Sequence, residues 1–189
     1  MILLVSAVAE ELGDLDGEPL GIGTITAGVA MARLLAERQP DGVVMLGTGG
    51  GYTGAPAIGE ACKANRIGWA DGVAMMGLGY TPRPPVPLPC DERLLAQINL
   101  PACDILSVGA VSTDPVMAGR LSDGWQVEHL ESYGAALACA QAGVAFAAVL
   151  GITNQVGPDA HTQWLTHRTE ARHAIQEAVR PLFGRNHGE

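Results

Sequence analysis

Dense apolar runs alternate along this chain with stretches in which apolar residues recur at helical spacing. Residues 2–8 form an apolar run interrupted only by Ser6, the pattern of a strand buried on both faces. Across residues 27–39, Val29, Met31, Leu34 and Leu35 share one side of a helix, while Arg33, Glu37 and Arg38 take the other. Pro40 and Asp41 end it, and residues 42–46 predict a second buried strand. The run Gly47-Thr48-Gly49-Gly50-Gly51 reads as a loop after that strand. Residues 61–69, 104–110 and 146–152 predict further strands. Short helices are expected after Asp91 and over 115–121, an apolar one over 131–142, and a long one from about Thr162 to Leu182. Residues 13–23 are turn-rich, and five prolines make 77–89 an extended surface loop.

Strands alternating with helices predict an α/β fold around a mostly parallel or mixed sheet. Residues 1–183 read as a single domain and 184–189 as a frayed tail. No internal repeat interrupts this pattern.

Composition narrows the function classes. Hydrophobic residues make up 48% of the 189 positions and charged ones 16%, so a packed core is expected rather than disorder. The net charge of −9, with Lys63 the only lysine, argues against nucleic-acid or anionic-membrane partners. No apolar run is long enough to span a bilayer, and no basic region precedes the first strand to make it a signal peptide. Cys62, Cys90, Cys103 and Cys139 show no CxxC spacing and read as buried thiols of a cytoplasmic protein.

In α/β sheets, ligands bind beyond the carboxyl ends of the strands. Glu10 and Glu11, the 47–51 glycines, Ser112 with Thr113, and Asn154 all fall there, and Glu131 stands at a helix start. On an extended chain the adjacent Glu10 and Glu11 point opposite ways, so one of them faces a pocket. Each candidate also has a plainer explanation. The glycines suit a tight turn, Glu131 the positive end of its helix, and Asn154 a turn before Gly157 and Pro158. Gly21-Ile22-Gly23 lacks the third glycine of a dinucleotide site, and the histidines show no metal-ligand spacing. Trp164 reads as core or lid packing.

Taken in order, these segments resemble the purine nucleoside phosphorylase / nucleosidase superfamily. The matching stretches are Val5-Ser6-Ala7-Val8-Ala9-Glu10-Glu11, Gly21-Ile22-Gly23, Gly47-Thr48-Gly49-Gly50-Gly51-Tyr52 and Ile58-Gly59-Glu60. Val127-Glu128-His129-Leu130-Glu131 follows, then Gly151-Ile152-Thr153-Asn154-Gln155-Val156-Gly157-Pro158 with Trp164 downstream. The Asn-x-Val-Gly-Pro run resembles the futalosine hydrolase branch. The related methylthioadenosine/S-adenosylhomocysteine nucleosidases carry Asp at the position of Asn154.

The resemblance implies a three-layer α/β/α sandwich with a central twisted mixed sheet, nucleoside phosphorylase-like and usually oligomeric, a dimer or larger. It implies N-ribosidic cleavage of a small purine nucleoside without cofactor or metal. On the futalosine branch this is release of hypoxanthine on a route to menaquinone. Glu11 would activate water, Glu131 would hold the ribose hydroxyls with Leu130 against the sugar, and Asn154 would bind the base. Thr48, Gly49 and Gly50 would line the pocket floor. An amide can donate to O6 and accept from N7–H, which suits a 6-oxopurine. No Arg or Lys precedes Arg33 to hold phosphate, so water is the expected nucleophile. The segment between Glu11 and Gly21 is shorter than in typical relatives, and Tyr133 is placed to crowd the pocket or enter a subunit contact. A nucleosidase or phosphorylase for another purine nucleoside, and a silent purine-binding member of the fold, remain alternatives.

Overall fold

A computed structural model describes residues 1–184. Its eight strands form one mixed sheet: β1 (Ile2–Ser6), β2 (Glu18–Pro19), β3 (Gly42–Gly51), β4 (Ala61–Ala70), β5 (Leu88–Pro89), β6 (Ala102–Val108), β7 (Val127–His129) and β8 (Ala145–Gln155). The helices are α1 (Ala9–Leu12), α2 (Thr24–Arg38), α3 (Gly72–Met75), α4 (Glu92–Leu95), α5 (Pro115–Leu121), α6 (Ser132–Ala142) and α7 (Ala160–Phe183). The spatial order is β2-β1-β3-β7-β6-β4-β5, and β8 pairs with both β3 and β4. β8 runs parallel to β3 along its whole length and antiparallel to the first residues of β4.

The long strands bury both faces, as their apolar runs require. From β3, Val43 and Met45 enter a core shared with Met31, Leu34 and Leu35 of α2 and Ala135 and Cys139 of α6. Val44 and Leu46 face the other way, onto Leu12, Leu94, and Ile175 and Val179 of α7. β8 divides in the same way, with Ala148 and Leu150 on one side and Ala147 and Val149 on the other. The period-2 alternation thus feeds two helical layers at once. α2 and α6 cross closely at Gly28 and Gly134, where a methyl on Gly134 would overlap the Thr24 carbonyl.

Several sequence expectations shift. The 47–51 glycines are not a loop: they complete β3, with a bulge between Gly49 and Gly50. Their composition follows from what crosses them. A Cβ on Gly47 would strike the His129 ring, and one on Gly49 the Glu128 carbonyl. Glu10 and Glu11 lie on a helical turn rather than an extended chain, and that turn exposes Glu10 and buries Glu11. β7 is an additional strand, and Asn154 lies within β8 rather than after it. The predicted 115–121 helix is α5, with Asp114 capping it through Met117 N–H. Of the expected frayed tail, residues 185–189 lie outside the described residues. Among the described residues all four cysteines are free and buried. No described helix is long and apolar enough to cross a membrane.

Candidate active site

The ends of β1, β3, β7 and β8 converge with α7 around a cavity of about 390 Å³. Glu11, Thr48, Gly49, Gly50, Leu130, Glu131 and Asn154 all line it, although they come from four separate segments. Thr113 and Trp164 line it as well. A larger apolar groove of about 950 Å³ lies between α2 and α6, and no carboxylate, imidazole or cation faces it. The groups able to do chemistry therefore sit in the smaller cavity.

Glu11 is 4% exposed and both of its carboxylate oxygens accept hydrogen bonds. Oε1 accepts from the Thr48 N–H at 3.0 Å and the Thr48 hydroxyl at 3.1 Å. Oε2 accepts from the N–H groups of Ala7 at 3.2 Å and Val8 at 3.4 Å. Burial pushes its pKa up to about 7, opposed by the Thr48, Val8 and Ala7 bonds and reinforced by the negative charge of Glu131. A carboxylate titrating near neutrality is suited to take a proton from water. The backbone of this turn is held from behind: Gln176 Nε2 on α7 donates to the Glu11 carbonyl at 3.1 Å and the Glu10 carbonyl at 3.4 Å.

Glu131 stands at the N-terminal end of α6, and its side chain makes no capping bond to the helix. Its Oε1 accepts from Gly23 N–H at 2.8 Å and its Oε2 lies 3.2 Å from Nε2 of His129. His129 is itself buried, and burial lowers its pKa against the opposing pull of Glu131. Ser132 N–H donates to Nδ1 at 3.2 Å, which leaves Nε2 as the protonated nitrogen. The sequence showed only that the histidines lack metal-ligand spacing and gave no sign of this pairing.

Glu128, beside it on β7, also lines the cavity but is tied down, accepting from Tyr52 O–H at 2.7 Å and Ser112 N–H at 2.9 Å. Asn154 is 7% exposed. Its Oδ1 accepts from the Thr153 hydroxyl at 2.8 Å, and its Nδ2 donates to the Gln155 carbonyl at 3.0 Å. An amide oxygen accepts twice and an amide nitrogen donates twice, so one acceptor and one donor position remain for a ligand.

One further expectation is corrected. Tyr133 does not crowd the cavity: it turns toward the proline-rich segment and donates to the Val86 carbonyl at 3.2 Å, beside the α2/α6 groove. Arg172 of α7 also reaches the cavity wall, a cation the sequence did not single out. Searching near the first strand for arginine missed it, since Arg172 is remote in sequence and sits on a helix with an otherwise polar outer face. No group of described His, Cys, Asp and Glu side chains is arranged to hold a metal ion.

No family model matches the chain. It is similar to the futalosine hydrolase of Thermus thermophilus, at 28% identity over 221 aligned positions covering 100% of this chain and 97% of that one. Among solved structures, a 5′-methylthioadenosine/S-adenosylhomocysteine nucleosidase from Colwellia psychrerythraea, in complex with adenine, superposes with a TM-score of 0.80. The identity there is 18%, covering 94% of this chain and 92% of the other. A futalosine hydrolase mutant from Helicobacter pylori gives a TM-score of 0.81 at 14% identity, covering 95% and 96%. The fold is that of the nucleoside phosphorylase-like α/β proteins, and the likeness to the nucleosidase superfamily and its futalosine branch, read from the sequence, is borne out.

Proposed function

We propose that the protein is a purine nucleosidase that hydrolyses the N-ribosidic bond of futalosine and releases hypoxanthine. The observation that carries this reading is the placement of buried Glu11, with its pKa near 7, in one cavity with Glu131 and Asn154. The full-length likeness to a futalosine hydrolase supports the choice of substrate.

The chemistry follows from the three groups. As the bond from C1′ to N9 opens, its electron pair leaves with the purine and the sugar gains oxocarbenium character. Ionised Glu11 takes a proton from water as the water oxygen bonds to C1′, and later returns that proton to solvent. The purine takes up a solvent proton at N7. Asn154 Oδ1 accepts the N7–H, and its Nδ2 donates to O6. Glu131, oriented by Gly23 and His129, accepts from the 2′- and 3′-hydroxyls. Leu130 packs against the sugar, and Thr48 with Gly49 and Gly50 forms the floor on which the nucleoside lies.

A homo-oligomer, dimer or larger, belongs to the same reading. It is supported by the apolar α2/α6 groove, where Ile25 and Val29 are exposed. The four buried free thiols support a reducing, cytoplasmic setting. The test is hypoxanthine release from futalosine, followed by chromatography with and without phosphate, beside inosine and methylthioadenosine. Phosphate-independent release from futalosine is expected. Release only with phosphate, or only from one of the other nucleosides, overturns the assignment.

A further inference from the structure

The reaction outlined above employs Glu11, Glu131 and Asn154 but gives no task to a third buried carboxylate on the cavity wall. Glu128 is 5% exposed and lines the cavity with them. A buried carboxylate is destabilising unless hydrogen bonds compensate it, and an apolar side chain would fill the same volume without that cost. Two donors from distant segments converge on it. Tyr52, just past β3, donates its O–H to Oε2 at 2.7 Å, and Ser112, between β6 and α5, donates its N–H to Oε1 at 2.9 Å. Burial, and then the charge of Glu128, push the Tyr52 phenol above its ordinary value of 10, so it stays a donor at any working pH.

The bond to Ser112 falls in the middle of a connection. Residues 109–114 join β6 to α5, and Ser112 is the one buried residue among them. Val111 and Thr113, on either side of it, line the cavity. Strand pairing fixes where this wall stands. Gly50 of β3 pairs with Glu128 of β7 on one side and with Asn154 of β8 on the other. Cross-strand partners project to the same face of a sheet, so Glu128 and Asn154 flank Gly50 two strand spacings apart, about 10 Å between Cα atoms. The wall held by Glu128 therefore stands across Gly50 from the amide assigned to the base.

Building on the nucleosidase reading, we propose that Glu128 is a positioning residue that holds Val111 and Thr113 against the bound base. Its part is to accept two hydrogen bonds, and its charge is not used at the sugar. The two donors differ in a way that makes this testable. The Ser112 N–H has a fixed direction, whereas the Tyr52 hydroxyl rotates and can accept as well as donate. In Glu128→Gln the amide can turn Oε1 to Ser112 and donate its Nε2–H to Tyr52, so the wall stays in place without the charge. Glu128→Met keeps the volume but leaves both donors unmet.

The test follows the wall and the reaction separately in the wild type, Glu128→Gln, Glu128→Met and Tyr52→Phe, which removes only an O–H. Hydrogen exchange over residues 109–114, read by mass spectrometry, needs no ligand. It is expected to be at least about tenfold faster in Glu128→Met, intermediate in Tyr52→Phe and near the wild-type rate in Glu128→Gln. KM and kcat on futalosine, and calorimetric affinity for hypoxanthine, report what the wall does. KM and the hypoxanthine Kd should rise about tenfold in Glu128→Met with kcat within about threefold of wild type, and Glu128→Gln should recover most of the loss. Where Glu128→Met does not fold, Tyr52→Phe carries the comparison, with a rise of about threefold in both constants. Unchanged exchange, or faster exchange with KM and Kd unmoved, overturns the proposal while leaving the nucleosidase reading intact. A fall in kcat that Glu128→Gln shares would mean that Glu128 acts by its charge, and also overturns it. Hypoxanthine binding that weakens in Glu128→Met, without turnover by the wild type, upholds the positioning role and removes the reaction. Absence of both turnover and hypoxanthine binding in the wild type overturns the two together.

Discussion

Nε2 of His129 lies 3.2 Å from Oε2 of Glu131, and both side chains are buried. Because Nδ1 accepts from Ser132 N–H, the imidazole presents its single proton to the carboxylate and fixes its second oxygen. Gly47 leaves room for this, since any Cβ there would meet the imidazole. His129 is therefore a positioning residue for the diol-binding carboxylate.

Replacing His129 by Ala removes a hydrogen bond to a charged acceptor, worth about 1.5–3 kcal/mol. We expect kcat/KM on the nucleoside to fall roughly tenfold to a hundredfold, chiefly through KM. His129→Gln, which retains a donor, should recover part of the loss. A 2′,3′-dideoxy substrate should show little difference between wild type and variant. Equal losses on both substrates would mean that His129 acts only through stability.

Glu11 makes two linked predictions. Its ionised form is the base, so kcat/KM should rise with pH through about 7, and Glu11→Gln should lower kcat by about 10²–10⁴-fold while still binding ligand. The same shift bears on stability. The folded-state pKa lies above the ordinary value of 4.5, so the native state holds this proton more tightly than the unfolded chain. Stability from this group is complete below pH 4.5 and is lost as pH rises through 7, a change of about 3 kcal/mol. Urea denaturation from pH 4.5 to 8 should show wild type losing stability relative to Glu11→Gln. A constant difference across that range would contradict the raised pKa.

Asn154→Asp should move base preference from 6-oxopurines toward 6-aminopurines. A carboxylate accepts from an amino group and repels O6, so the ratio of kcat/KM for inosine-type over adenosine-type substrates should drop by roughly a hundredfold or more. Parallel assays on the two substrate types measure it directly. An unchanged ratio would place base recognition elsewhere.

Gly134→Ala should be strongly destabilising although alanine favours helices. The added methyl would overlap the Thr24 carbonyl and force α2 and α6 apart. A loss of about 1–3 kcal/mol or more is expected, read from the urea midpoint.

The strands were legible wherever burial on both faces leaves an unbroken apolar run, as in β1, β3 and β8. Gly47 to Gly51 misled because glycine normally signals a turn. Here it marks close crossings by His129, Glu128 and Asn154, which belong to segments about 80–105 residues away. β7 escaped notice because two of its three residues are ionisable, and burial of Glu128 and His129 depends on partners that only the folded chain supplies. Glu11, Glu131 and Asn154 could be singled out because motif order preserves them. Arg172 could not, since an arginine on an amphipathic helix looks solvated until the helix has a neighbour.

The hydrogen bonds from Gln176 to the Glu10 and Glu11 carbonyls tie the turn after β1 to a helix residue 165 positions further along the chain than Glu11. A ribosome makes β1 long before it makes α7. The nascent chain therefore carries its proton-accepting carboxylate for some time without the brace behind it. Catalytic competence should thus wait until α7 has emerged, and truncation within α7 should silence Glu11.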